Sequence, residues 1–266
     1  MGRGTMVAMP SRPLVEAFDI PRDARIAAIG GGGKMTLLLA MGREWARAGG
    51  RPLLATAARV EQHAEKGVPG VRTMFLPPAR SAWRDVRFFG GELLVVGRKA
   101  DRAGALDPLT PDEIDALARE AGADLVLIKA DDARSRSLVE HVPGESAVPL
   151  DATLVVAVAG LDAWGTPLGE DSVHRHDLFA EHLALAPGTR LEDDAFYAAL
   201  ADPSGYRALV PPGARYAVFL NKADRPVRVA VAQRIALGLI ERGVGEVVWG
   251  DIRREEWTVV RRGVRT

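Results

Sequence analysis

Short apolar, β-rich runs alternate along the chain with longer stretches whose apolar residues recur every three or four positions, the pattern of strands joined by helices. Arg25–Ile29 reads as a first strand. Lys34–Ala48 reads as a helix, with Leu37, Leu38, Met41 and Trp45 at helical spacing and Gly49-Gly50 to stop it. Pro52–Ala55, Arg72–Leu76 and Glu92–Gly97 follow as strands. Thr110-Pro111-Asp112-Glu113 offers a hydroxyl cap, a proline at the first helical position and a glutamate three after the cap, so a helix starts there and runs to Gly122. Asp124–Ile128 and Thr153–Ala159 are almost unbroken apolar runs, which predicts central strands covered on both faces. Helices are expected over Ser172–Leu185, Glu192–Ala201 and Pro226–Arg242, and strands over Tyr216–Leu220 and Glu246–Trp249. This series predicts an α/β fold: a doubly wound, mostly parallel sheet of the phosphate-loop NTPase type, with ligands at the C-terminal strand ends.

With 266 residues and 47% apolar content, the chain can bury one full core. A single nucleotide-binding α/β domain over residues 14–266 is expected, preceded by a disordered segment, 1–13. Thirty-five basic side chains balance thirty-five acidic ones, so no global field recruits nucleic acid or an anionic membrane. Any phosphate ligand needs a local site. The absence of cysteine excludes disulfides, thiolate metal ligation and thiolate catalysis. No stretch approaches the ~20 apolar residues of a membrane span and the N-terminal stretch has no apolar signal core, so a soluble, cytoplasmic protein is expected.

Four glycines and a lysine, Gly30-Gly31-Gly32-Gly33-Lys34, join the first strand to the first long helix. Glycines let backbone amides approach phosphate oxygens, the helix start adds partial positive charge, and the lysine supplies a mobile cation. The competing reading is a structural turn whose glycines allow close packing. The full G-x-x-x-x-G-K-[ST] pattern would need glycine at Ala28 and a hydroxyl at Met35. That hydroxyl ordinarily ligates Mg²⁺, and a thioether is a poor substitute for a hard cation. Thr36 carries a hydroxyl but lies about 100° further round the helix, and is expected to point elsewhere unless the loop is shifted.

Three further segments carry candidate chemistry. Lys129-Ala130-Asp131-Asp132 closes an apolar strand where an acidic residue often orders Mg²⁺ or water beside phosphates. The lysine there helps an anion and hinders a metal, leaving Asp131 and Asp132 as carboxylates that would serve catalysis or merely cap a turn. Arg134 and Arg136 follow, either on phosphate or in solvent. Asn221-Lys222-Ala223-Asp224, after the strand ending Phe219-Leu220, resembles the Asn-Lys-x-Asp motif of GTPases. Its aspartate suits the adjacent N1–H and N2–H₂ donors of guanine, or else caps a helix. Finally, Val173-His174-Arg175-His176 lies among Glu170, Asp171, Asp177, Glu181 and His182. These are enough ligands for a metal, yet His174 and His176 would not share a helix face, and Asp171 or Ser172 as a helix cap explains part of the cluster.

Taken in order, Gly30 to Lys34, Ala130-Asp131 with Arg134, Gly160-Leu161-Asp162 with Gly165 and Leu168, Val173-His174-Arg175, and Asn221 to Asp224 resemble the YqeC-type proteins. That family is named for selenium cofactor biosynthesis or as accessory proteins of selenium-dependent molybdenum hydroxylases, and the resemblance runs from about Leu14 to Trp249. Where the family has Gly-Lys-Thr-Thr, this chain has Gly33-Lys34-Met35-Thr36, and its threonine run after the second strand is Ala55-Thr56-Ala57-Ala58. Its Glu-Ala-Asp-Gly is Lys129-Ala130-Asp131-Asp132, and its Pro-Leu-Lys is Ser137-Leu138-Val139, with the acidic residue retained as Glu145. Polar groups are lost where nucleotide and metal would sit.

The resemblance implies a divergent nucleotide-binding accessory protein that assists maturation of a molybdenum hydroxylase partner, with GTP or ATP as ligand and slow or absent hydrolysis. Lys34 with the Gly31 to Gly33 amides would hold phosphates, Thr36, Asn221 and Lys222 would line the nucleotide, and Asp224 would read the base. Asp162, His174 and Arg175 enter as motif residues. The rival expectations are a catalytically silent scaffold and a small-molecule kinase using the same loop.

Overall fold

The computed structural model describes residues 12–58, 67–77, 79–100, 105–142, 147–186 and 188–262. The elements of the first half are α1 (Leu14–Ala17), β1 (Ala24–Gly30), α2 (Lys34–Arg47), β2 (Pro52–Thr56), β3 (Val71–Phe75), β4 (Leu93–Lys99), β5 (Leu106–Asp107), α3 (Pro111–Ala121) and β6 (Leu125–Lys129). The second half adds β7 (Leu138–Val139), β8 (Leu154–Gly160), β9 (Val173–His174), α4 (His176–His182), α5 (Asp193–Ala201), β10 (Arg215–Asn221), α6 (Pro226–Glu241), β11 (Glu246–Asp251) and β12 (Glu256–Arg261).

One sheet of the described residues runs in the order β12-β11-β10-β8-β1-β6-β2-β4-β3, with β5 attached to β4. Every pairing in it is parallel except β11–β12 and β4–β5. This is the doubly wound α/β fold expected, of the phosphate-loop NTPase type. Side chains alternate across β1: Ile26 and Ala28 face one apolar core with Leu14, Leu37 and Met41 of α1 and α2, while Ala27 and Ile29 face the other with Leu117 of α3, Phe196 of α5 and Ile235 of α6. The strands flanking β1 are as apolar as a sheet buried on both faces demands, and β6 and β8 are buried at every position. Thr110 and Glu113 exchange both bonds of a capping box, and Gly122 closes α3 in the left-handed conformation.

The helix expected over Ser172–Leu185 is not formed as such. Val173-His174 pairs in parallel with β7, and α4 begins only at His176. Arg175 stands at φ 61°, which a helix cannot contain, and the Ser172 hydroxyl folds onto the carbonyls of Pro167 and Gly169 instead of capping a helix. The last strand expected, Glu246–Trp249, is followed by a turn and the antiparallel β12. Of the N-terminal segment expected to be disordered, residues 1–11 lie outside the described residues, and the Arg12 carbonyl accepts a bond from Trp257 Nε1 at 2.7 Å.

Candidate phosphate-binding site

Residues of four strand ends meet at one edge of the sheet. The register aligns Ala28 with Lys129, Gly30 with Val158, and Asn221 with Gly160, so the glycine loop emerges beside the ends of β6, β8 and β10. After β6 the chain crosses to the opposite side of β1 to form β8, which puts the topological switch point at this loop. The loop itself is packed tightly. A side chain at Gly33 would bring its Cβ within 2.5 Å of Asn221 Nδ2, and Gly33 stands at φ 128°, a conformation that only glycine adopts readily. The segment after β6 doubles back over the loop through Arg134 and Ser135, both at positive φ. The Arg136 carbonyl accepts from Gly32 N and the Val158 carbonyl from Gly31 N, each at 2.8 Å. Two amides expected on phosphate are therefore engaged within the protein. The amides of Lys34, Met35 and Thr36 open α2 and have no preceding helical carbonyl to serve, so they are the donors left for an anion.

Lys34 is folded back into the loop. Its Nζ lies 2.7 Å from Asp131 Oδ1 and donates to the Gly30 carbonyl, and both charged side chains are almost wholly buried. Asp131 Oδ2 accepts from Gly30 N and from His141 Nε2, each at 2.6 Å. Burial pushes the Asp131 carboxyl up, but the Lys34 charge and the His141 hydrogen bond overrule it and leave it at about 2. Lys129 is drawn the other way, down to about 8, by burial and by the neighbouring Lys34 charge against the pull of Asp132 and Asp131.

A second polar system braces the β10 end. Asn221 Nδ2 donates to the Gly32 carbonyl at 2.7 Å and Oδ1 accepts from Ile252 N at 3.2 Å. Lys222, at φ 66°, donates to Asp162 Oδ2 at 2.7 Å and to Ser137 Oγ at 2.9 Å. Burial raises the Asp162 carboxyl, and the Lys222 and Ser137 bonds overrule it, holding it below the usual aspartate range. Asp162 thus ties three loops together. Asp224 Oδ1 accepts from Arg228 at 2.6 Å, a bond that overrides its partial desolvation and keeps it ionised.

Between these groups lies a cleft of about 650 Å³. Eight lysines and arginines line it against four aspartates. Asp162 and Asp224 already face cations, Asp251 Oδ1 accepts from Arg253 N, and Asp132 has Lys129 Nζ at 3.8 Å. Carboxylates paired in this way, beside two buried ammonium groups, do not fit a protein-held Mg²⁺. Among the described residues, no group of three or more His, Cys, Asp or Glu side chains gathers as a metal site, and His176 and His182 turn instead to Asp177 and Glu140.

The YqeC family profile, described as "YqeC protein", matches residues 26–177, just over half of the chain. The chain belongs to the YqeC family. It is also 28% identical over 257 residues to a protein of Escherichia coli strain K12 named "Uncharacterized protein YqeC", covering 96% of this chain and 97% of that one. No solved structure matches.

The motif segments of this YqeC chain converge only in part. Gly32, Gly33, Lys34, Thr36, Asp132, Asp162, Asn221, Lys222 and Asp224 all line the cleft; Thr36 does so although it was expected to point away, and Met35 lines it while also packing on the α2 core. Asp131, His174 and Arg175 line a smaller cavity next to it, and Glu145 lies outside the described residues. Several lining residues escaped the sequence reading, among them His141 in the smaller cavity and Arg225, Arg228, Asp251 and Arg253 in the cleft. His141 follows two apolar residues and a glutamate with no motif around it, so nothing marked it. Arg253 had a signal, a polar run directly after an apolar strand of the same sheet.

Proposed function

We propose that this YqeC-family chain is a nucleotide-binding accessory protein whose phosphates sit in the cationic cleft. The observation that carries the reading is the concentration of eight lysines and arginines against four aspartates at the start of α2 and the switch point, in a chain of zero net charge. The α2 amides would take the phosphate oxygens. Lys129, Arg134 and Arg253 would balance their charge, and Asp224 would face the base. The resemblance to YqeC-type proteins supports the second half of the reading, assistance in maturing a selenium-dependent molybdenum hydroxylase.

A second reading, a binding scaffold without turnover, is favoured by one observation: three of the four carboxylates facing the cleft, Asp132, Asp162 and Asp224, have cationic partners. With no group among the described residues fitted to hold a metal ion, charge building on a transferring phosphoryl group lacks its usual partner, a contact commonly worth about 3 to 4 kcal/mol of barrier. Calorimetric titration with GTP and ATP, each with and without Mg²⁺, tests both readings. Arg253→Ala should weaken binding about tenfold, since one charge-assisted contact contributes roughly 1.5 to 3 kcal/mol, and its side chain braces nothing in the loop. An affinity indifferent to this change, or no binding of either nucleotide, removes the phosphate cleft. Brisk Mg²⁺-dependent hydrolysis removes the scaffold.

A further inference from the structure

Beside the proposed nucleotide cleft lies a smaller chamber of about 220 Å³, with Asp132 and Arg134 in the walls of both. Asp131, His141, His174 and Arg175 complete its polar lining, and Ala57, Ala58 and Val139 its apolar part. That space is enough for a compact ion. We propose that this chamber binds a small oxyanion, a phosphate or a carboxylate-bearing acid, between Arg134, His174 and Arg175, with His141 completing its hydrogen bonds.

The charges favour that ligand. Both carboxylates of the lining already have partners: Asp131 has Lys34, the Gly30 amide and His141, and Asp132 has the Arg134 amide at 3.0 Å with Lys129 nearby. Arg134 and Arg175 bring two guanidinium groups to the same lining. His141 is held rigidly, its ring edge-on to Tyr206 at 4.7 Å and its side chain only 9% exposed. Because Asp131 is ionised, Nε2 must carry the proton that bonds it. Nδ1 is left buried and without a partner, a polar group whose hydrogen bond a bound ligand would supply. The arrangement also links the two cavities. Lys34 lines the cleft and Asp131 the chamber, and their ion pair at 2.7 Å joins the two cavities.

Titration of the protein, ¹³C-labelled at its five histidine rings, with inorganic phosphate and separately with malonate tests the chamber by NMR. The His141 and His174 signals should shift saturably, and Arg175→Gln should weaken that response about tenfold. Arg175 also donates to the Glu140 carbonyl at 2.9 Å, so His174→Asn is a second variant, read on the His141 signal with folding checked by amide dispersion. A response to phosphate alone assigns a phosphoryl group, and one to malonate alone a carboxylate. No shift of either ring at about 50 mM probe, shifts confined to His176 and His182, or a response that both variants leave intact overturns the proposal. The same titration on Arg253→Ala keeps the two sites apart. A protein that fails to bind nucleotide while its chamber histidines still respond loses the cleft assignment and keeps the chamber.

Discussion

Replacing Lys34 by methionine probes the buried ion pair on which the glycine loop rests. Nζ lies 2.7 Å from Asp131 Oδ1, with the two side chains 4% and 6% exposed. At that separation and an effective dielectric constant of about 20 the attraction is about 6 kcal/mol. Most of it offsets the desolvation of two charges, so the intact pair adds little net stability. Losing one partner is different. Lys34→Met leaves the Asp131 carboxylate buried with only the Gly30 amide and His141, at an expected cost of about 3 to 5 kcal/mol and a Tm lowered by roughly 10 °C. Asp131→Asn strands the Lys34 ammonium beside Lys129 and should also destabilise strongly. The double variant removes both charges and should recover about 2 kcal/mol or more relative to the sum of the singles. Urea unfolding followed by circular dichroism measures all four corners. The pH dependence checks the sign: without Lys34, burial raises the Asp131 carboxyl, which then takes up a proton on folding, so the deficit of Lys34→Met should shrink as pH falls toward 4. Single changes that cost under about 1 kcal/mol, or that add within about 0.5 kcal/mol, would refute the pair as the loop's anchor.

Burial and the Lys34 charge bring Lys129 to about 8, so a cation leaves the cleft as pH rises through that value. Nucleotide affinity should fall between pH 7 and 9 and Lys129→Gln should flatten the profile in calorimetry; an affinity constant over that range removes Lys129 from the phosphates. Asp224, if it reads the base, should make GTP bind at least about tenfold better than ATP, and Asp224→Asn should erase the preference. Equal affinities leave it as the partner of Arg228 only. Burial pushes the Glu44 carboxyl up to about 7 despite the Val15 and Leu14 amides. The folded chain then keeps a proton that the unfolded chain releases, so stability falls as pH rises from about 4.5 to 7. Glu44→Gln should remove that slope and gain about 1 to 2 kcal/mol at pH 7.5, allowing for partial exposure, and a slope unchanged in thermal melts would exclude Glu44 as its source.

The central sheet was legible because burial on both faces leaves a coarse mark, and Asp124–Ile128 and Thr153–Ala159 carry it over most of their length. α3 was legible because its cap is local: Thr110, Pro111 and Glu113 act within one turn. What sequence periodicity missed is non-local or too short to repeat. β7 and β9 are two residues each and exist through each other. The helix expected from Ser172 had suitable spacing, but Arg175 takes a left-handed conformation that no pattern of polarity announces. β12 mixes arginine and glutamate with Trp257 and Val260, which pack on opposite faces of the sheet, so no one-sided alternation marks it.

At the site, motifs located the strand ends correctly but not the partners of their side chains. Gly30 to Lys34, Asp131 and Asn221 to Asp224 announce themselves because phosphate loops and strand-end carboxylates have recognisable spacing. What they bond to depends on a segment whose motif residues, Arg134 and Ser137, do not announce that it folds over the loop. Residues 133–137 lie over the glycine loop, take the Gly32 amide with the Arg136 carbonyl, and supply Ser137 to the Asp162–Lys222 pair. The consequence is that the loop is braced by the protein itself. The contacts that an open phosphate loop offers to a ligand are here divided, with Gly31, Gly32 and Lys34 turned inward and the α2 amides facing the cleft. A phosphate bound there would meet a braced floor rimmed by arginines, and to recruit Lys34 it must compete with Asp131 at 2.7 Å. One phosphate contact is worth roughly 1.5 to 3 kcal/mol, less than the cost of leaving that carboxylate bare. A phosphate in the cleft would therefore be taken by the α2 amides, while Lys34 stays with Asp131 as the brace of the loop.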